Sequence, residues 1–224
     1  MRALVIVDIH KSTHASSTTI KYIKKYDPDL LLIAGDITTF GPLSFATDFL
    51  SELPDIKTLA VPGNCDPREI LEVIENSNAD NLHAKKVTIN GITFVGLGGS
   101  NVTPFNTPFE LTEAEIFNAL DTLMEPGVVL LLHFPVYGHL DEVPQGEHTG
   151  SKSALQIVEK YQPSLVLSGH IHETRGAKVD ENGIQYLNPG PMREGFAAIV
   201  DITPLKENIK TERVKYKFAY KLLP

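Results

Sequence analysis

Three short apolar runs open the chain, "ALVIV", "LLLIA" and "KTLAV", and each is followed by a segment with helical periodicity: Ile20 to Tyr26, Phe45 to Leu50, and Ile70 to Ile74. Strands alternating with helices predict a βαβαβα opening with parallel strands. This restricts the fold more than any other feature, because parallel strands put every strand-to-helix turn at the same edge of a sheet. Ser16 or Ser17 suits the start of the first helix, and Pro67 suits the first helical position of the third.

Beyond residue 80 the pattern changes. "KKVTINGITFVGLGG" alternates around Asn90-Gly91, the dipeptide that favours a tight hairpin, so an antiparallel pair joins the parallel strands and the sheets are mixed. Thr112 and Glu115 have capping-box spacing ahead of Ile116, Phe117, Leu120, Leu123 and Met124 on one helical face. A strand "VVLLLHF", a helix Ala154 to Tyr161 and a strand "SLVLSGH" follow, and the tail reads as β: "AKV" and "IQYLN" across Asn182-Gly183, then "FAAIVDI", then "RVKYKFAYKL". In the last, Val214, Tyr216, Phe218 and Tyr220 would face a core with Arg213, Lys215 and Lys217 outward, or the lysines would guard a sheet edge. Residues 1–224 read as a single domain, with long loops over 100–108 and 135–150.

Composition excludes several classes. The longest apolar run, Val128 to Leu132, is far shorter than the roughly 20 residues a membrane helix needs, and the apolar start is too short for a secretory signal. One cysteine allows no internal disulfide, so a cytoplasmic location is the simplest expectation. A net charge of −8 argues against a basic surface for duplex nucleic acid. A homo-oligomer stays open.

The chemistry lies at the strand ends. Asp8 and His10 follow the first strand, Asp36 the second and Asn64 the third, with intervals of 28 residues between Asp8, Asp36 and Asn64. His133 ends "VVLLLHF", and His170 and His172 end "LVLSGH". A single Asp there is often a helix cap, and a single His a structural hydrogen-bonder. Seven such groups exceed what capping requires. Mixed imidazole and oxygen donors suit Mn²⁺, Fe or Zn²⁺, and two ions about 3.5–4 Å apart sharing a carboxylate fit the count better than one.

The string "DIH … GD … GNCD … H … GHIH" resembles the calcineurin-like metallophosphoesterase superfamily, with its D-x-H, G-D, G-N-H-D/E, H and G-H-x-H blocks. "TPFNTPFEL", "HFPVYGHLDEVPQGEHTGSK" and "SGHIHETRG" further resemble its Icc-related prokaryotic phosphoesterases. The resemblance implies an α/β (α+β) fold, a four-layer sandwich of two mixed β-sheets flanked by helices. It implies two divalent ions, Mn first, with Ni, Fe, Zn or Mg as alternatives. Asp8, His10 and His172 would hold one ion and Asn64, His133 and His170 the other, with Asp36 bridging. Asn64, Asp66 and His170 are the expected catalytic residues, and a metal-bound hydroxide would attack a small phosphodiester, cyclic nucleotides among the candidates. The alternatives are a phosphomonoesterase or nucleotide pyrophosphatase with the same site, or a catalytically weak, metal-binding interaction module.

One residue departs from the pattern. Where the family places a His that protonates the leaving oxygen, oriented by the acidic residue after it, this chain has Cys65 before Asp66. Cys65 reads as an inert substitute, a weak acid or hydrogen-bond donor, or a ligand or nucleophile, in that order, because an ordinary thiol is a poor acid near neutral pH. His139 and His148, in the loop after His133, are candidate replacements. His14 and His83 have weaker claims. "GLGGS" reads as a turn, "NPG" at 188–190 as a turn or a border of the site, and Arg175 and Arg193 as surface groups or phosphate contacts.

Overall fold

The computed structural model describes residues 1–180, 182–204 and 216–224. Two six-stranded mixed sheets pack face to face. In the first, β1 (Arg2–Ile6), β2 (Leu30–Ile33), β3 (Thr58–Ala60) and β4 (Ala79–Asn81) run parallel, and β13 (Ala197–Pro204) and β14 (Tyr216–Leu223) extend it antiparallel beyond β1. In the second, β6 (Ile92–Leu97), β9 (Val129–Leu132), β10 (Leu165–Leu167) and β12 (Gln185–Asn188) are parallel, flanked by antiparallel β5 (Lys85–Ile89) and β11 (Gly176–Val179).

Burial accounts for the layers. Alternate residues of each sheet, such as Val5, Leu32 and Leu59 against Phe94, Leu131 and Leu167, meet between the sheets. The opposite face of the first sheet covers itself with α1 (Ala15–Tyr26), α2 (Leu43–Glu52) and α3 (Ile70–Glu75), and that of the second with α4 (Glu113–Asp121) and α5 (Lys152–Tyr161). Strands buried on both faces must be apolar at every position, which is why β2 and β9 read as unbroken hydrophobic runs. The result is the four-layer mixed α/β sandwich expected. No described helix is long and apolar enough to cross a membrane.

Most of the local signals reappear in the structure. Asn90 and Gly91, both at positive φ, close the β5–β6 hairpin, and Thr112 and Glu115 form a complete capping box on α4. Three expectations need correction. First, α1 starts at Ala15 with His14 in the capping position, so Ser16 and Ser17 lie inside its first turn, where Ser17 Oγ donates to the His14 carbonyl. Second, α3 starts at Ile70, because Pro67 opens a turn whose carbonyl accepts the Ile70 N–H. Third, Tyr220 points out at 48% exposure, while Tyr216 and Phe218 pack on the core. In the first sheet β14 pairs with β13 alone and carries exposed Lys217 and Lys221, which favours the guarded-edge reading. Arg213, Val214 and Lys215 lie outside the described residues. Two further features had no signal in the sequence: β4, and a small pair formed by β7 (Ser100–Asn101) with β8 (Glu110–Leu111).

Candidate metal centre

The C-terminal ends of β1, β2 and β3 from one sheet face those of β9 and β10 from the other, so the predicted residues converge on one edge of the sandwich. The turns that carry them are unusual. Asp8 (φ 55°), His10 (47°), Asp36 (53°) and His170 (67°) all adopt left-handed backbone, which costs on the order of 1–3 kcal/mol each for such residues. Hydrogen bonds between the turns hold them there: Asp8 N–H to the Gly35 carbonyl at 3.1 Å, His10 N–H to the Asp36 carbonyl at 2.8 Å, and His170 N–H to Asp8 Oδ2 at 3.1 Å.

Side chains meet as a cluster of electron-pair donors. Asp8 Oδ1 lies 3.5 Å from His172 Nε2 and 3.8 Å from His10 Nε2. Asp36 Oδ2 lies 3.5 Å from both His10 Nε2 and His133 Nε2. His133 Nε2 is also 2.9 Å from Asn64 Oδ1, while its Nδ1 donates to the Ala34 carbonyl at 2.7 Å. That bond keeps a proton on Nδ1 and directs Nε2 at two acceptor oxygens, an arrangement that calls for a proton or a metal ion at Nε2. Three overlapping groups each offer donor atoms within 4.8 Å of one another: Asp8, His10 and His172; Asp8, Asp36 and His133; and His10, Asp36 and Cys65.

Such a cluster fits cations. Asp8 Oδ1 is fully buried and has no hydrogen-bond partner, a costly arrangement unless something positive lies beside it. Burial opposes ionisation of Asp36, yet the imidazoles of His133, His10 and His170 hold its carboxyl well below the usual range. Burial keeps His170 neutral, pushing it down to about 4, and lowers His10 as well. Burial would lower His133 too, but Asp36 overrides this and pushes it up to about 9, a proton standing where a metal ion would stand. Asp8 raises His172. Asp36 lies at the centre, facing His10 on one side and His133 on the other.

His170 stands beside this cluster. Its ring packs edge-on against His133 at 5.3 Å between centroids, as His172 does against His10 at 5.5 Å. Asp66 does something the sequence did not suggest. Its buried carboxylate accepts the N–H groups of Ile37, Thr38 and Gly63 and the Thr38 hydroxyl, at 2.7–3.2 Å. It thereby staples the β2 turn to the β3 turn rather than orienting the side chain of residue 65. Cys65 is half-buried, its N–H donates to Asp36 Oδ1 at 2.8 Å, and Sγ meets Asn64 Nδ2 at 3.7 Å. Burial, with Asp36 close by, pushes the thiol far above its ordinary range.

The two replacement candidates separate. His139 stacks flat on Tyr186 at 4.0 Å and lines a different cavity with Lys178 and Asp180, away from the cluster. His148 lines the same cleft as His170. His83 accepts the Gly98 N–H on Nδ1 and is structural. Arg175 ties the Pro189 and Leu223 carbonyls together, so it is no phosphate contact. Arg193 reaches His172, with Nη2 at 3.1 Å from Nδ1. "NPG" supports the site from behind: Asn188 Nδ2 donates to the Ile171 carbonyl, between His170 and His172. In "GLGGS", Gly99 N–H binds the Pro62 carbonyl, so the segment braces the β3 turn.

The sequence pattern of the calcineurin-like phosphoesterase family matches residues 1–174. The uncharacterized protein MJ1162 of Methanocaldococcus jannaschii is 37% identical over 199 residues, covering 85% of this chain and 88% of that protein. TT1561 of Thermus thermophilus has a similar structure, with a TM-score of 0.71 at 19% identity over 89% of this chain and 93% of that one. A dimetal phosphatase from Danio rerio has a TM-score of 0.63 at 13% identity, over 89% and 92%. At such identities the two structures speak for the fold alone. The family match, which spans every strand end that carries a candidate donor, settles the rest: this chain belongs to the calcineurin-like phosphoesterases.

Proposed function

We propose that the protein is a metal-dependent phosphodiesterase acting on small phosphodiesters, cyclic nucleotides among them, at a pair of divalent cations of which Mn²⁺ is the first choice. The observation that carries this reading is Asp36 Oδ2, equidistant at 3.5 Å from His10 and His133, with donors sufficient for one ion on each side. The description of the Danio rerio neighbour as a dimetal phosphatase supports the pair of ions. Asp8, His10 and His172 would hold one ion, Asn64, His133 and His170 the other, and Asp36 both. When bound, such ions act as Lewis acids that neutralise phosphoryl charge and make water acidic enough to react near neutral pH.

The chain's own residues do the positioning. Asn64 gives Oδ1 to the His133 side and one amide N–H to Cys65 Sγ, which leaves the other N–H to donate to a phosphoryl oxygen. Asp66 and the Ala34 carbonyl keep the Asp36 and Asn64 turns and the His133 ring in register. Two basic side chains near the site are already engaged: Arg193 is turned onto His172, and Lys152 lies over Tyr137 in the adjoining cleft.

The test is hydrolysis of bis-p-nitrophenyl phosphate by metal-stripped protein with Mn²⁺, Ni²⁺, Zn²⁺ or Mg²⁺ restored. Metal-dependent turnover that vanishes in Asp36→Asn supports the reading. Two bound ions with no turnover on any ester would overturn it in favour of a metal-binding interaction module.

A further inference from the structure

Cys65 leaves this site without the imidazole that protonates the leaving group in many relatives, and under the two-ion proposal the four strand-end histidines are assigned to the ions, three of them within the donor cluster and His170 beside it. The chain has eight histidines. Of the other four, His83 is committed to Gly98 N–H, His139 is stacked on Tyr186, and exposed His14 sits at the start of α1, outside the cleft. His148 alone opens onto the cleft beside His170.

That cleft has walls built from both long loops. Asn101 Nδ2 donates to the Thr149 carbonyl at 3.1 Å, joining the loops, and between them lies a cavity of about 600 Å³ lined by Val102, Phe105, Tyr137, His148 and His170. His148 is not a free-swinging loop residue. Its Nδ1 lies 2.7 Å from Oδ1 of Asp141, which is buried, and its ring leans on Tyr137 at 5.6 Å between centroids. Asp141 is itself fixed, because its Oδ2 accepts the Gly138 and Gly150 N–H groups, both at 3.0 Å. A buried carboxylate holding Nδ1–H sets the ring orientation and leaves Nε2 as the working nitrogen.

We propose that His148, positioned by Asp141, is the general acid of this site and donates its Nε2 proton to the leaving oxygen of a phosphoester whose organic part occupies the cleft. The inference rests on the phosphoesterase reading above. In the step, a water oxygen forms the new bond to phosphorus as the bond from phosphorus to the leaving oxygen breaks. The leaving oxygen keeps that electron pair and takes the proton from Nε2. The imidazole then stays neutral with Nδ1–H on Asp141 until it regains a proton from solvent, which receives the one water gives up. The products are an alcohol or phenol and the phosphomonoester.

Leaving-group dependence tests this. Wild type and His148→Ala, each loaded with Mn²⁺, are assayed on p-nitrophenyl methyl phosphate and on phenyl methyl phosphate, with metal content and thermal unfolding measured alongside. A positioned acid matters most for the poorer leaving group, so His148→Ala should lose about 10²-fold on the phenyl ester and only a few-fold on the p-nitrophenyl ester. Equal losses on both esters, or none on either, with fold and metal content intact, would overturn the acid role and leave the phosphoesterase reading standing. No turnover by wild type on either ester would overturn that reading and this inference together.

Discussion

His133 reaches Asn64 across the sandwich: Nε2 of a ring carried by the second sheet lies 2.9 Å from Oδ1 of an amide carried by the first, while its Nδ1 is tied to the Ala34 carbonyl. One buried side chain therefore joins the two sheets and orients a candidate metal donor. His133→Ala should leave the buried carbonyl of Ala34 without its donor, costing about 1–3 kcal/mol in the metal-free protein. On the proposed two-ion site, it should also lower the metal content from two ions per chain to one. Urea unfolding and elemental analysis read these separately, and unchanged metal content would remove His133 from the ligand set.

Gly63 sets how closely the β2 and β3 turns approach. A Cβ there would lie 2.0 Å from Asp36 Oδ1 and 2.2 Å from Asp36 N, so any side chain must displace the central carboxylate. Gly63→Ala is expected to cost about 1–3 kcal/mol by overpacking and to weaken Mn²⁺ binding by at least about 10-fold. Calorimetric titration checks the affinity. A variant that binds Mn²⁺ as tightly as wild type would mean that Asp36 is not a ligand.

His83 gives a pH signature independent of the metal site. Burial pushes it down to about 4, with Arg68 and Lys85 adding to the effect, so it folds as a neutral ring that accepts the Gly98 N–H. Because the folded pKa lies below the unfolded value, its contribution is fully present above about pH 6.5 and is lost as pH falls toward 4. Allowing for its partial exposure, the loss is on the order of 2 kcal/mol. His83→Asn keeps an acceptor for Gly98 but cannot titrate. Metal-free wild type should therefore lose more stability than this variant between pH 6.5 and 4, and parallel curves would exclude the burial mechanism.

The strand ends were legible because a βαβ unit has a nearly fixed length, so the 28-residue intervals among Asp8, Asp36 and Asn64 already implied one sheet edge. Other features depend on tertiary contacts that leave no local pattern. The left-handed backbone of Asp8 and His10 is held by hydrogen bonds to the β2 turn. The clamp at Asp66 is invisible because the donors it binds are mainly backbone groups. Residues 139 and 148 looked alike in sequence, and only the packing of Tyr186 and the burial of Asp141 separate them. A signal for Asp141 did exist: an Asp among "GHLDEVPQGEHTG" can gather loop N–H groups, as this one does at Gly138 and Gly150.

Cys65 is where the sequence departs from its family, and its surroundings indicate what the thiol does. It is flanked by the Asp36 and Asp66 carboxylates, its Sγ hydrogen-bonds only the Asn64 amide among the described side chains, and burial disfavours charge on the nearby His10 imidazole, so in the metal-free protein no cationic side chain supports a thiolate nucleophile. Its backbone N–H on Asp36 is its structural contribution, and any residue but proline supplies that. Cys65→Ser should retain activity on both aryl methyl phosphates within about 3-fold, because Ser keeps the size and the backbone contact. Cys65→His restores an imidazole beside the central carboxylate. If position 65 faces the leaving oxygen, this variant should gain about 10-fold or more on phenyl methyl phosphate in the His148→Ala background, where no other acid remains, and much less in wild type. Additive effects of the two substitutions would show that residues 65 and 148 serve different atoms, whereas one imidazole compensating for the other would show that both reach the same oxygen.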